Sequence, residues 1–169
     1  MEVVFLGLGS NLGDGMDRFH GAVKGLAPDF SVRRASSVYE TAPEGGPPQP
    51  NYLNMVVEGR TRLEPDDLLR RIHHVERAAG RVRSVRDGPR TLDVDILFFG
   101  RRIIQTPSLT IPHPRWALRG FVLEPLLEIA AGWVDPRTGR TVARIAREVD
   151  RSGGILERMP PPSFPGVGP

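Results

Sequence analysis

The sequence predicts an α+β domain in which helices pack on an antiparallel sheet. Segments of strand and helix periodicity follow one another as strand, helix, strand, strand, helix, strand, and glycine or proline punctuates the junctions. The 169 residues suffice for one core and little more. That order is the split βαβ pattern of ferredoxin-like domains. No internal repeat and no second domain is visible. Residues 1–156 are expected to form the domain, and the Pro- and Gly-rich residues 157–169 a disordered tail.

Val3 to Leu8 is a short apolar run closed by Gly9, which reads as a buried strand. Gly9-Ser10-Asn11-Leu12-Gly13 turns the chain, and Asp14 or Asp17 is placed to cap a helix running to about Leu26. Ser31 to Tyr39 alternates loosely and is expected to form one strand. Four prolines and two glycines between Ala42 and Asn51 make a loop. In Tyr52 to Thr61, alternation puts Tyr52, Asn54, Val56 and Glu58 on one face and Leu53, Met55 and Val57 on the other. Glu64-Pro65-Asp66-Asp67 opens a helix that keeps Leu68, Leu69, Ile72, Val75 and Ala79 in register until Gly80. Arg81 to Arg90 is a basic loop. Thr91 to Phe99 is a strand that Gly100 breaks, with Arg101 to Gln105 its expected hairpin partner. Gly120 to Ala131 and Thr141 to Val149 read as helices.

Composition narrows the function classes. There is no cysteine, which excludes disulfides and Cys-based metal or redox sites and fits a cytoplasmic location. No apolar run reaches the roughly 20 residues needed to span a bilayer. No basic leader precedes the first apolar stretch, so neither anchor nor signal peptide is expected. The net charge is +3, and Lys24 is the only lysine among 23 basic residues. Guanidinium forks hold phosphate bidentately, which favours an anionic partner such as a nucleotide; a general bias toward arginine accounts for the composition equally well.

The strongest local signal is Gly88-Pro89-Arg90-Thr91-Leu92-Asp93-Val94-Asp95-Ile96-Leu97. Asp93 and Asp95 lie two apart on a strand, so their carboxylates share a face about 7 Å apart at the backbone, while Leu92, Val94 and Ile96 point inward. Asp is disfavoured in strands. Two on one face make an oxygen-only site for Mg²⁺, which keeps waters and takes further ligands from phosphates; the alternative is a solvated strand face. Arg81, Arg83, Arg86 and Arg90 precede the pair, either as partners of a metal triphosphate or as surface salt bridges. His113, held between Pro112 and Pro114, is a phosphate donor, a base or a plain loop histidine. His73 and His74 are adjacent on a helix and face apart, against a two-His metal site. Tyr52, Asn54 and Phe121 read either as a heterocycle pocket or as ordinary core. Gly7-Leu8-Gly9-Ser10-Asn11-Leu12-Gly13 mimics a dinucleotide-binding turn but lacks the parallel second strand and its acid, and Lys24 has no Walker-type glycine pattern.

Taken together and in order, several segments resemble the 6-hydroxymethyl-7,8-dihydropterin pyrophosphokinase family. They are Gly9 to Gly13, Ser37-Val38-Tyr39-Glu40-Thr41, Gln49-Pro50-Asn51-Tyr52-Leu53-Asn54, Gly80-Arg81-Val82-Arg83, Gly88 to Leu97, Pro112-His113 and Arg119-Gly120-Phe121. The resemblance runs from Val3 to about Val149. It implies pyrophosphate transfer from Mg-ATP to the pterin hydroxymethyl group with release of AMP, in folate biosynthesis. It implies that Asp93 and Asp95 hold two Mg²⁺ ions and that Tyr52 and Phe121 wall the pterin. Asn54 would bond the pterin, and Thr41, Ala42, Pro43 and Glu44 would read its edge. His73, Glu76, Arg83, Arg90, His113 and Arg119 match ATP contacts, and Arg81, Arg90 and Asp95 match residues of the chemical step. No general base is assigned: Asp95 and a metal-held water both remain open. Three features depart from the pattern: a loop from Arg83 to Gly88 one residue shorter, Asp87 in place of an aromatic, and Pro114 in place of tyrosine.

The expected partners are small molecules, with neither nucleic acid nor membrane, acting on a monomer. A basic RNA-binding module is the competing class, since ferredoxin-like sheets bind RNA through surface aromatics. The chain lacks an aromatic-rich strand and puts two acids on a strand face, where they would repel phosphate unless a metal intervened. A dinucleotide oxidoreductase would instead bind NAD(P) tightly.

Overall fold

The computed structural model describes residues 1–43, 47–80, 91–149, 154–165 and 167. In chain order the elements are β1 (Glu2–Ser10), α1 (Gly15–Leu26), β2 (Phe30–Ala35), β3 (Val38–Thr41), β4 (Tyr52–Thr61), α2 (Pro65–Ala78) and β5 (Asp93–Phe99). They continue as β6 (Ile104–Gln105), β7 (Thr110–Ile111), α3 (Gly120–Ala130), β8 (Val134–Asp135), β9 (Arg140–Thr141), α4 (Val142–Ala146) and β10 (Ile155–Met159). The main sheet runs β10-β3-β4-β1-β5, with β2 also beside β4, and every pairing in it is antiparallel. β1–α1–β2 and β4–α2–β5 are the two crossovers, each stepping over a strand of the other. This is the expected ferredoxin-like arrangement.

Strand parity builds two hydrophobic layers. Val4, Leu6 and Leu8 of β1, Met55 and Val57 of β4, and Val94 and Ile96 of β5 face α1 and α2. Phe5, Val56 and Leu97 face α3 and α4 on the other side. Asp14 caps α1, its carboxylate accepting from the Met16 and Asp17 N–H groups at 3.0 and 3.1 Å. Pro65 opens α2, where its missing N–H costs nothing.

Four expectations need correction. Ser31 to Tyr39 is not one strand: it breaks at two buried serines into β2 and β3. The Ser36 hydroxyl accepts from Val56 N–H at 2.9 Å, and Ser37 N–H donates to the Glu128 carboxylate at 3.1 Å. Arg101 to Gln105 does not pair with β5. Gly100, at φ +52°, and a turn from Arg102 N–H to Phe99 C=O carry the chain off the sheet, and Ile104–Gln105 pairs with Thr110–Ile111 instead. The helix expected over Thr141 to Val149 is only the five-residue α4, capped by Thr141, after a short β8–β9 ribbon. The expected disorder from residue 157 onward is not found over the described residues of that segment. Residues 155–159 form β10 on β3, and Phe164 is 4% exposed in the α1-side core. Proline and glycine hid a strand and an aromatic anchor.

Candidate active site

A cavity of about 220 Å³ opens where β1, β4 and β5 meet the start of α3. Its floor follows from register. Gly9 pairs with Asp93 and Gly7 with Asp95, while Asn54 lies across from Gly9 on the other side of β1. Side chains of one parity therefore project into one space. The two glycines keep that space open: a Cβ at Gly9 would stand 3.2 Å from Asn54 Oδ1.

Part of the cavity lining is suited to a flat, polar heterocycle. Asn54 is buried, and its Nδ2 donates to Thr41 Oγ1 at 2.8 Å. Tyr52 is half-buried and donates from its hydroxyl to Gln49 Oε1 at 2.9 Å; Asn11 Nδ2 donates to the same oxygen at 3.0 Å. Phe121, on the first turn of α3, lines the same cavity, with the Arg119 guanidinium 5.5 Å from its ring centroid. Ala42 completes this wall.

The rest of the lining carries charge. Asp93 and Asp95 belong to it, and the Asp95 side chain is 39% exposed. His113 Nε2 and Arg119 Nη1 each stand 3.9 Å from Asp95 Oδ2. Burial, then the charges of Arg119 and Arg115, hold the His113 imidazolium down to a pKa of about 4, so the ring is neutral near pH 7. Its Nδ1 accepts from Arg115 N–H at 3.1 Å, which leaves the proton on Nε2, on the side of Asp95.

Two networks fix these groups. Glu76 is 3% exposed, and its Oε1 accepts from Val94 N–H at 2.9 Å, tying α2 to β5 between the two aspartates. Beneath the 113–119 turn, the buried Trp116 indole donates to Asp135 Oδ2 at 3.3 Å. Asp135 is held by Arg137 Nη2 at 2.7 Å, and His113 N–H bonds Leu97 C=O at 2.9 Å.

Of the residues singled out in the sequence, Thr41, Ala42, Tyr52, Asn54, Asp93, Asp95, Arg119 and Phe121 converge on the cavity. His113 joins through Asp95. Glu76 lies under the strand, and His73 is half-buried on α2. Pro43 follows Ala42 and is not among the cavity-lining residues. Glu44, Arg81, Arg83, Arg86, Asp87 and Arg90 lie outside the described residues. The sequence assigns no site role to Gly7, Gly9, Gln49 or Arg115, although Gly7 and Gly9 stand in the turn motif and Gln49 in a family segment; all four line the cavity. The glycines were legible in principle, since Gly7 and Gly9 share the two-residue spacing of Asp93 and Asp95. Arg115 was one arginine among many.

Two carboxylates on one face, with glycines opposite, give hard oxygen ligands with room beside them. Among the described residues no cluster of three or more His, Asp or Glu could enclose a metal. A pair that leaves positions to water and phosphate is the pattern Mg²⁺ favours in nucleotide sites, so the residues fit.

Residues 5–131 match the sequence profile of 7,8-dihydro-6-hydroxymethylpterin-pyrophosphokinase (HPPK). A 2-amino-4-hydroxy-6-hydroxymethyldihydropteridine pyrophosphokinase of Synechocystis is 45% identical over 86% of this chain and 75% of its own length. The protein of the same name in Bacillus subtilis is 46% identical over 76% of this chain and 78% of its own. A folic acid synthesis protein of Pneumocystis carinii is 41% identical, but the match spans 19% of its length. The crystal structure of Plasmodium falciparum HPPK-DHPS superposes with a TM-score of 0.68 over 88% of this chain and 43% of that one; at 14% identity this speaks for the fold alone. The chain belongs to the 7,8-dihydro-6-hydroxymethylpterin-pyrophosphokinase family.

Proposed function

We propose that this chain transfers the pyrophosphoryl group of ATP to the hydroxymethyl group of 6-hydroxymethyl-7,8-dihydropterin, releasing AMP, as a step of folate biosynthesis. The observation that carries this is the continuity of the cavity: an amide-and-aromatic lining for a heterocycle and an aspartate pair share one space. In-line transfer demands two ligands with their reacting atoms adjacent, and the substrate hydroxyl is the nucleophile, so no protein nucleophile is required.

Each residue has a proposed task. Tyr52 and Phe121 stack on the pterin, Asn54 offers amide donor and acceptor edges, and residues 41–44 bond the ring edge through their backbone. Asp93 and Asp95 would hold Mg²⁺, two ions in our reading, which supply charge neutralisation to the transferring phosphates. Arg119 and the neutral His113, a donor through Nε2, face the phosphates beside Asp95. Arg83 and Arg90 contact ATP, Arg81 and Arg90 stabilise charge that builds as the bridging bond to AMP breaks, and His73 and Glu76 belong to the nucleotide side. An arginine in that role gains strength in the transition state, so Arg90→Ala should lower turnover more than pterin affinity.

No helix among the described residues is long and apolar enough to cross a membrane. With no cysteine, the enzyme is proposed to work in the cytoplasm on small molecules, without nucleic acid, as a monomer. An RNA-binding role is disfavoured because the open face carries carboxylates.

The direct test is Asp95→Asn. Its amide keeps the size of the side chain but is a poor ligand for a hard cation. AMP formation at saturating ATP and Mg²⁺ should fall at least about a hundredfold, with melting temperature and pterin titration near normal. Normal AMP formation by the folded variant would remove the proposed role of the acidic pair.

A further inference from the structure

We propose that the C-terminal residues 154–165 are a positioning strap for the pterin-side wall of the cavity, with Arg158 and Phe164 as its anchors. The proposal rests on the assignment of Thr41 and Ala42 to the pterin. Thr41 ends β3, a four-residue strand beyond β4, and Ala42 follows it directly. Such a strand end is a weak support for a binding wall, because few cross-strand contacts hold it.

The strap supplies what the strand lacks. β10 pairs along β3 with Ile155 opposite Thr41, Arg158 opposite Tyr39 and Met159 opposite Val38. Gly154 C=O accepts from Ala42 N–H at 2.9 Å, at the point where Ala42 lines the cavity. Gly154 sits at φ +82°, a conformation that favours glycine.

The two anchors grip opposite faces of the sheet. On the α3 face, Arg158 Nε donates to Ser37 Oγ at 3.0 Å and its Nη2 lies 3.1 Å from Glu128 Oε1. Glu128 also accepts from Tyr39 OH at 3.0 Å, so α3, β3 and β10 share one carboxylate. On the α1 face, Phe164 is buried in the core, its ring centroid 5.4 Å from that of His20, while His20 Nε2 lies 3.3 Å from Ser163 C=O. A segment fixed at both faces restrains the strand end between them, and with it the Thr41 hydroxyl that orients Asn54. Arg158 and Phe164 touch no substrate in this account; they act through Thr41 and Ala42.

The test uses full-length Arg158→Ala, Arg158→Lys and Phe164→Ala. The Arg158 side chain is 59% exposed, so its loss should leave the melting temperature nearly unchanged. In the two alanine variants, KM for the hydroxymethylpterin should rise on the order of fivefold, the scale of one lost hydrogen bond. KM for ATP should stay within about twofold, and exchange of the Ala42 amide hydrogen should accelerate. Arg158→Lys should recover much of both effects. Unchanged pterin KM and unchanged Ala42 exchange would overturn the proposal. So would an equal rise of both KM values in Arg158→Ala together with a lower melting temperature of that variant, since that would make the segment a general stabiliser; Phe164→Ala, which empties a core position, is expected to melt lower in either case. If the wild-type protein formed no AMP while Ala42 exchange still quickened, the pterin assignment would fail and the mechanical role of the strap would stand.

Discussion

Asp93, Asp95 and Asn54 meet because two glycines of β1 lie between them. A side chain at Gly9 would approach the Asn54 amide, so the smallest residue keeps the cavity open there. Phe121 has the opposite task of filling space, and it does so from the first turn of a helix whose later residues are locked into the α3 core. Replacing Phe121 by alanine removes one wall of the heterocycle part and leaves the aspartates alone. Pterin affinity should fall by about 1 kcal/mol or more, read by fluorescence titration, with ATP affinity nearly intact. Equal weakening for both ligands would place Phe121 elsewhere in the mechanism. Asp93 and Asp95 were legible from the sequence because acids two apart in a strand are unusual and period two assigns them a face. Arg115 was not, because nothing local sets it apart from the chain's other arginines; it is exposed and yet lines the cavity.

At the scale of elements, α2 and β5 form a unit through one buried carboxylate. Glu76 accepts the Val94 N–H from below, and Val94 is the residue between the two aspartates. Glu76→Ala would orphan that buried N–H, at a cost of about 1–3 kcal/mol in stability. A lower midpoint in urea should be accompanied by a higher Mg²⁺ concentration for half-maximal AMP formation, while Glu76→Gln, which keeps an acceptor oxygen, should be milder in both. Equal behaviour of alanine and glutamine variants would contradict this link. The strands that face one layer or the other, β1, β4 and β5, were readable because alternation alone sets their sides. The break between β2 and β3 was not, since it depends on Glu128, about 90 residues away, taking the Ser37 N–H. β10 was missed for the same kind of reason: its partners Tyr39 and Glu128 are distant in sequence, and the prolines that follow Met159 read locally as disorder.

Across the whole molecule, two carboxylates staple the outer layer and should set the acid limit of the fold. Burial alone would raise the Glu128 carboxyl, but hydrogen bonds from Ser37 and Tyr39 and the charge of Arg158 outweigh it and hold it below its ordinary 4.5. At Asp135, burial is likewise outweighed by Arg137 and the Trp116 indole, below its ordinary 3.8. A depressed carboxyl binds fewer protons folded than unfolded, so its contribution is complete above the unfolded value and disappears as pH falls through the folded one. The melting temperature should therefore decline below about pH 4.5, and Glu128→Gln, lower at neutral pH, should decline less steeply. Parallel curves would mean that Glu128 stabilises nothing by its charge. The same layer carries α3, and so Phe121 and Arg119, which joins global stability to the shape of the cavity. What that cavity does with ATP decides the proposed function. Incubating the protein with ATP, Mg²⁺ and 6-hydroxymethyl-7,8-dihydropterin and separating the nucleotide products measures this directly. AMP in equal amount to a pyrophosphorylated pterin is the predicted result, and ADP, or no nucleotide turnover that depends on the pterin, would contradict it.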